Sequence, residues 1–404
     1  MERAPITSRY PSEDHANSPL KFADRVADIE PFRVVEMLTR AGELQAAGVD
    51  IVHMEAGEPD FPTLPQVVAA AKAALDAGHT SYSPAAGIPQ LREALSRWYR
   101  QQHNLDVPAE RIMITPGGSG ALLLMSALLV NPGQGILMTD PGYPCNRHFL
   151  RLVEGRAQLV PVSAEQRFQL TAPIAEQYWR DNTVGVMVAS PSNPTGTALT
   201  TNEMQALLAL CQARGGTLIV DEIYQDLVFG DAAASVLGMT NQAFVLNSFS
   251  KYFGMTGWRL GWMVAPAQAI PALEKLAQNL FISMSTPTQY AALAAFEPEA
   301  LAVLEQRKKE YALRRNYLLQ ELRAIGFGIE AEPVGAFYIY ANIRGLTQLD
   351  SKDFCLQLLE EHGIAITPGA DFGTHLASEH VRFAFTTSIE KLQEAVRRLR
   401  KMFC

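Results

Sequence analysis

The chain has 404 residues, 48% of them hydrophobic and 19% charged, which is enough apolar material for a substantial core and argues against disorder. Its formal net charge of −8 argues against a nucleic-acid partner, which would ask for a basic face, and its longest apolar stretch, Ala121 to Val130, is too short to span a bilayer. Cys145, Cys211, Cys355 and Cys404 lie far apart, so neither a zinc knuckle nor a redox CxxC pair is present; with free thiols expected and no apolar leader in Met1-Glu2-Arg3-Ala4-Pro5, the reading is a soluble cytoplasmic protein.

The opening, up to about Asp24, is polar and reads as an arm. From Phe32 to Ala47 the apolar residues Val35, Met37, Leu38, Ala41, Leu44 and Ala46 recur at roughly helical spacing, and Gly48 is a plausible stop. Arg111 to Ile114 reads as a strand, Pro116-Gly117-Gly118-Ser119-Gly120 as a turn, and Ala121 to Val130 as a buried helix. Gly135 to Met138, Val184 to Val188, Thr217 to Val220, Ala243 to Leu246 and Leu260 to Val264 read as strands, with a helix through Met204 to Arg214. Strands that are apolar on both faces and alternate with helices imply a mostly parallel sheet covered on both sides. After Pro287 the pattern changes. One long helix runs from about Thr288 through Tyr317, strands follow at Gly335 to Tyr340 and Val381 to Phe385, and a helix lies between them around Phe354 to Glu361. Thr387-Ser388-Ile389-Glu390 reads as a capping box for a last helix carrying Leu392, Val396 and Leu399. This is a smaller α+β module, which the N-terminal helix is expected to join.

Ligands of open α/β sheets sit beyond the carboxyl ends of the strands, so the polar residues that follow each strand are the ones to weigh. Lys251 stands among hydroxyls, aromatics and glycines between two strand-like runs. It is either a surface lysine or an amine that forms a Schiff base with a carbonyl cofactor. Gly117-Gly118-Ser119-Gly120 opens a helix, where free N–H groups and the helix dipole favour a phosphate. Ser248 and Arg259 can add a hydroxyl and a bidentate cation, although an ordinary salt bridge would also satisfy Arg259. Asp221 ends an apolar strand and needs a partner, whether a backbone N–H, a core arginine or a protonated ring nitrogen. Tyr224, three residues on, and the amide of Asn193 can each donate to a ring oxygen.

Together these segments resemble the fold-type I pyridoxal 5′-phosphate-dependent aminotransferases, the class I/II group, from about Ile29 to Leu399. The motifs that carry the resemblance are Gly57-Glu58-Pro59-Asp60-Phe61, Tyr82 followed by Gly87, Ser190 to Gly196, Asp221-Glu222-Ile223-Tyr224, Ser248 to Arg259, and Val381-Arg382-Phe383. The resemblance implies an α/β fold whose large domain has a mostly parallel seven-stranded sheet covered by helices, with a smaller α+β domain beside it. The implied division is an arm over 1–28, a large cofactor-binding domain over 56–290, and a small domain assembled from 29–55 and 291–404. It also implies that Lys251 holds pyridoxal 5′-phosphate as a Schiff base, Asp221 partners the ring nitrogen, and Tyr224 and Asn193 bond the ring oxygen. Tyr143 would stack on the ring, and Gly118, Ser119, Ser248 and Arg259 would hold the phosphate. Tyr82 would reach the phosphate of a neighbouring subunit, which makes a homodimer with shared active sites the expected assembly. Arg382 would hold the substrate α-carboxylate, with Gly57 and Asn193 beside it. The implied reaction moves an amino group from an L-amino acid to a 2-oxo acid in a ping-pong cycle, with no metal, nucleic acid or membrane involved.

Some relatives that act on dicarboxylic substrates carry a basic residue just after the paired glycines, where Ser119 stands here. Others borrow an arginine near the segment from Asn279 to Tyr290, which has none. Neutral or aromatic donors are therefore expected. Ile29 and Phe32 are candidates both for an apolar pocket and for core packing. His375 and His380 lack an acidic ligand set and read as solvent-facing loop. Trp258 and Trp262 read as core, and Arg397-Arg398-Leu399-Arg400-Lys401 as the solvated face of the last helix. A β-eliminating carbon–sulfur lyase would use the same Lys251, Asp221 and Arg382. A non-catalytic sensor is a more distant alternative, because the region before Phe32 is too short and not basic enough for a DNA-binding domain.

Overall fold

A computed structural model describes residues 21–230 and 234–403. Most of the expected N-terminal arm, and Cys404, lie outside the described residues. In chain order the strands are β1 (Val52–His53), β2 (Ile112–Thr115), β3 (Gly135–Asp140), β4 (Arg156–Pro161), β5 (Thr183–Ala189), β6 (Thr217–Asp221), β7 (Phe244–Ser248), β8 (Gly261–Val264), β9 (Tyr338–Asn342), β10 (Ile364–Ala365), β11 (Thr367–Pro368) and β12 (His380–Ala384). The helices are α1 (Arg33–Ala46), α2 (Pro65–Asp76), α3 (Pro89–His103), α4 (Gly117–Leu129), α5 (Cys145–Leu152), α6 (Ala172–Tyr178), α7 (Thr201–Ala213), α8 (Ile270–Leu280), α9 (Thr286–Leu293), α10 (Pro298–Ile325), α11 (Ser351–His362) and α12 (Ile389–Phe403).

Seven strands form one sheet in the order β2-β8-β7-β6-β5-β3-β4, and only β8 runs against the others. Alternate residues of each strand point to opposite faces. Met113, Met187, Ile219, Leu246 and Met263 pack with α4 and α8, while Ile114, Val188, Val220, Val245 and Trp262 belong to the core on the other side. Both faces are therefore dry, as the continuous apolar runs require. Because six strands share one direction, the residues that follow β2, β3, β5, β6 and β7 emerge at one sheet edge. A second, antiparallel sheet, β11-β12-β9, and the short parallel pair of β1 with β10 make up the α+β part. The N-terminal helix α1 does join this part, packing on β11 and α11, and α12 packs on α10 and β1.

Several local expectations change. The paired glycines are not a turn ahead of a helix but the first turn of α4 itself, which begins at Gly117. The long helix expected from Thr288 is two helices, because Glu297 is extended and Pro298 starts α10 afresh. The hydroxyl that caps α12 is that of Ser388 rather than Thr387: the Lys391 N–H reaches Ser388 Oγ at 3.4 Å and the Leu392 N–H reaches its carbonyl at 3.0 Å. His380 is no solvent-facing loop residue. It opens β12 at 1% exposure, stacked on Tyr340 with ring centroids 4.7 Å apart. Trp262 is fully buried and Trp258 packs against the core, as expected. The arginines of the last helix pair with Glu394, Asp50 and Glu321. Among the described residues no helix is long and apolar enough to cross a membrane, and no group of three His, Cys, Asp or Glu side chains could hold a metal ion.

The start of α4 is set by its contact with β8. A Cβ added at Gly261 would fall 2.7 Å from the Gly117 carbonyl carbon and 2.9 Å from the Asn247 carbonyl oxygen, both backbone atoms that cannot yield cheaply. Gly261→Ala is expected to cost about 1–3 kcal/mol through overpacking. Thermal unfolding checks this, and an unchanged melting temperature would refute the contact.

Candidate active site

The residues gathered at the sheet edge surround a cavity of about 500 Å³. Lys251 follows β7 in a turn pinned from behind. Phe249 and Phe253 are fully buried on either side of it, in an aromatic cluster with Trp98, Trp262 and Phe296. The turn is also tied to the segment after β1: Thr63 Oγ1 donates to the Gly254 carbonyl (3.1 Å), Trp258 Nε1 donates to Thr63 Oγ1 (3.0 Å), and Thr256 Oγ1 donates to Glu58 (2.7 Å). Lys251 Nζ donates to the Gly57 carbonyl at 2.6 Å and lies 5.9 Å and 5.7 Å from the ring centres of Tyr224 and Phe337. Loss of water contact, then repulsion from Arg382 and Arg259, pushes the amine down to about 8.

Asp221 ends β6, on the same face as Ile219 and thus toward α4. Its Oδ1 accepts the Ile223 N–H at 3.0 Å, and burial pushes the carboxyl up to about 6. Tyr224 is buried, with its hydroxyl 2.8 Å from that of Tyr338. Asn193 Oδ1 accepts from Arg382 Nη1 at 2.9 Å, which leaves the amide NH₂ to face elsewhere.

At the far end, Gly118 and Ser119 present the start of α4. Gly117 favours glycine through its φ of +68°, and a Cβ there would fall 2.6 Å from Arg259 Nη2 and so displace the guanidinium. Arg259 is anchored by Nη1 to the Thr256 carbonyl (3.0 Å). Ser248 Oγ donates toward Ser250 Oγ (3.0 Å) and accepts the Ser250 N–H (3.0 Å). Tyr143, after β3, forms a wall with Phe32, their ring centres 6.4 Å apart.

Arg382, on β12, is 4% exposed. Its Nη2 donates to the Glu55 carbonyl (2.5 Å) and to Thr367 Oγ1 (3.1 Å), and its guanidinium lies 4.3 Å and 4.8 Å from the ring centres of Tyr338 and Phe372. Nε is buried without a partner.

The cavity thus brings together Gly57, Gly118, Ser119, Tyr143, Asn193, Asp221, Tyr224, Ser248, Lys251, Arg259 and Arg382. Tyr82 is not among them; it is 81% exposed on the surface of its own subunit. Phe32 lines the cavity and Ile29 does not, while Val35 and Leu38, one and two helical turns along α1, do. Ser250, Tyr338, Asp371 and Phe372 also line it and were not singled out from the sequence. Ser250 had a visible signal, a second hydroxyl two residues from Ser248. Nothing local marks Tyr338 or Phe372.

The family model for class I and II aminotransferases matches residues 49–399. A valine–pyruvate aminotransferase of Mycobacterium tuberculosis is 39% identical over 94% of this chain and 98% of its own length. An aspartate aminotransferase of Geobacillus stearothermophilus is 32% identical over 95% and 98%. The crystal structure of an aminotransferase from Mycobacterium tuberculosis superposes with a TM-score of 0.91 at 38% identity, covering 95% of this chain and 99% of that one. The chain belongs to the class I and II aminotransferases, enzymes that use pyridoxal 5′-phosphate.

Proposed function

We propose that the enzyme transfers an amino group from a neutral, aliphatic or aromatic, L-amino acid to a 2-oxo acid, both taken in turn by the one cavity. The observation that carries this reading is the charge inventory of the lining. Its cations are Lys251, Arg259 and Arg382, and each has a task, while the remaining charged groups, Glu58, Asp221 and Asp371, are acidic. Among the described residues no cation is left for a side-chain carboxylate. The wall left for the substrate side chain is apolar: Phe32, Val35, Leu38 and Phe372. The name of the valine–pyruvate relative agrees with such a pocket.

The donor set fits pyridoxal phosphate. A helix start, two serine hydroxyls and a guanidinium stand at one end, a carboxylate lies in the middle, and an amine and a phenol lie between. The bound cofactor supplies an electron-withdrawing ring for the bond broken at the substrate α-carbon. In the proposed assignment Gly118, Ser119, Ser248 and Arg259 hold the phosphate, and Asp221 holds a proton on the ring nitrogen. Tyr224 and Asn193 donate to the ring oxygen, and Tyr143 covers the ring face. Lys251 is the attachment point and, once freed by an incoming amino acid, the base that takes the α-proton; an amine near 8 is suited to that work. Arg382, with Gly57 and Asn193 beside it, grips the α-carboxylate and so fixes which bond faces Lys251. Since the amino group parks on the enzyme between substrates, ping-pong kinetics follow. The exposure of Tyr82 fits a role at the neighbouring site of a homodimer, and the chain divides into a large domain over 56–290 and a small one from 29–55 and 291–404.

Three measurements test the reading. Borohydride reduction of the loaded enzyme, followed by peptide mass mapping, should place the cofactor on Lys251; an unmodified Lys251 peptide refutes the assignment. Mixing the yellow enzyme with single amino acids should convert its spectrum fastest with neutral aliphatic or aromatic donors. Aspartate or glutamate as the preferred donor would overturn the charge argument, and pyruvate with ammonia in place of conversion would point to a lyase. The third concerns the cofactor-free protein. Burial disfavours the ionised form of Asp221, so its carboxyl titrates above the ordinary value of 3.8, at about 6. The resulting penalty is absent below about pH 4, grows as the pH rises, and is full above about pH 6, reaching about 3 kcal/mol. Asp221→Asn should therefore raise the melting temperature of the cofactor-free protein at pH 7 and not at pH 4. An equal or lower value at pH 7 contradicts it.

A further inference from the structure

Tyr338 touches more of the cavity's working groups than its place in a plain strand would indicate. It lies on β9, 1% exposed, two residues before Tyr340, which pairs with Arg382 across the sheet, and so on the same face as Tyr340. Its hydroxyl is 2.8 Å from the Tyr224 hydroxyl. Its ring lies flat enough against Arg382 for the guanidinium carbon to sit 4.3 Å from the ring centre. Its hydroxyl also occupies the space beside Gly57, where a Cβ would fall 2.1 Å away, and the Gly57 carbonyl is the acceptor for Lys251.

We infer that Tyr338 is a positioning residue with two separable tasks: its hydroxyl strengthens Tyr224 as a donor to the cofactor, and its ring holds Arg382 for the substrate carboxylate. This rests on the roles proposed above for Tyr224 and Arg382. A phenol has one proton to give. If Tyr224 spends its proton on the ring oxygen, it meets Tyr338 as an acceptor, and the short contact between the two hydroxyls is then Tyr338 donating. Two donations in series polarise each other, so the second is stronger than Tyr224 could make alone. Negative charge on the ring oxygen is thereby favoured, and the proton that titrates on the bound cofactor leaves at a lower pH. The ring does something different. Its negative face lies against a guanidinium that no carboxylate neutralises among the described residues.

The test is the pH titration of the visible absorbance of the holoenzyme. Tyr338→Phe keeps the ring and loses the hydroxyl, and its midpoint should rise by about half to one pH unit. In a Tyr224→Phe background the same substitution should move the midpoint no further, because the effect passes through Tyr224. Tyr338→Leu also loses the ring and should weaken binding of 2-methylalanine, which has no α-proton to lose, about fivefold or more relative to Tyr338→Phe. A Tyr338→Phe midpoint within about 0.2 units of wild type, far below one hydrogen bond's worth, overturns the first task. So does an equal shift in the Tyr224→Phe background. Equal 2-methylalanine binding by the Phe and Leu proteins overturns the second, and if the Leu protein does not fold, the Phe titration still decides the first. Failure of the functional reading looks different: wild-type protein with no reducible bond at Lys251 would bring down both, whereas a normal chromophore with an unmoved midpoint removes only Tyr338.

Discussion

A guanidinium buried to 4% exposure with no carboxylate partner among the described residues is the constraint around which this site is arranged. Burying a charge costs several kcal/mol unless polar groups replace the lost water. Arg382 receives the Glu55 carbonyl, the Thr367 hydroxyl, the Asn193 amide oxygen and two aromatic faces. These partners come from strands and loops hundreds of residues apart, so compensating one charge draws together β11, β12, the segment after β1 and the loop after β5. Every one of these partners is neutral. They satisfy the Nη hydrogens without cancelling the charge, while Nε stays buried without a partner among the described residues, so an anion entering the cavity finds a cation whose desolvation is only partly met by the fold.

The same incompleteness recurs at Asp221 and Lys251. The carboxyl is pushed up to about 6 and the amine down to about 8, both chiefly by burial, and among the described residues neither has an ion-pair partner. A fold built only for stability would have paired them with each other or left them in water. Here they are aimed into one cavity from neighbouring strand ends and kept apart, and in the proposed assignment a ring nitrogen and a carbonyl carbon would supply the interaction each one is short of. That is a local stability deficit traded for readiness, and the dry, two-faced sheet behind the site carries it.

What was readable in the sequence follows from how local each cause is. Asp221, Asn193 and Lys251 stand at or just after the carboxyl ends of apolar strands of a parallel sheet, and chain direction alone sends such residues to one edge, so runs apolar on both faces alternating with helices sufficed to group them. The resemblance supplied Arg382, whose place on β12 no periodicity singles out. The misses share a cause of another kind. Which face of β9 carries Tyr338, whether His380 begins a strand under Tyr340, and whether Phe32 rather than Ile29 meets the cavity are all decided by tertiary packing, which leaves no periodic trace over a few residues. The division of the long C-terminal helix at Pro298 was legible in principle, since proline at a first helical turn is a start signal as well as a break. The capping hydroxyl was misplaced by one residue, within the ordinary uncertainty of a helix end.

The two parts of the fold contribute different kinds of contact. The large sheet supplies most of the groups with charge or hydrogen-bonding direction: Asp221, Lys251, Asn193, the start of α4 and Arg259. The α+β part supplies Arg382 and Phe372, and α1, which packs on it, supplies Phe32, Val35 and Leu38. In the proposed reading, discrimination between donors would rest on a few apolar side chains at and along α1. An apolar wall separates side chains by only about 1–3 kcal/mol per methylene. In the proposed reading it would therefore permit a range of neutral substrates, while the charge inventory of the described lining would disfavour anionic ones more firmly. The proposed assignment thus separates what must be constant, the grip on the α-amino acid core, from what can vary, and it places the variable part on Phe32, Val35 and Leu38, which make none of the hydrogen bonds of Arg382 and Lys251.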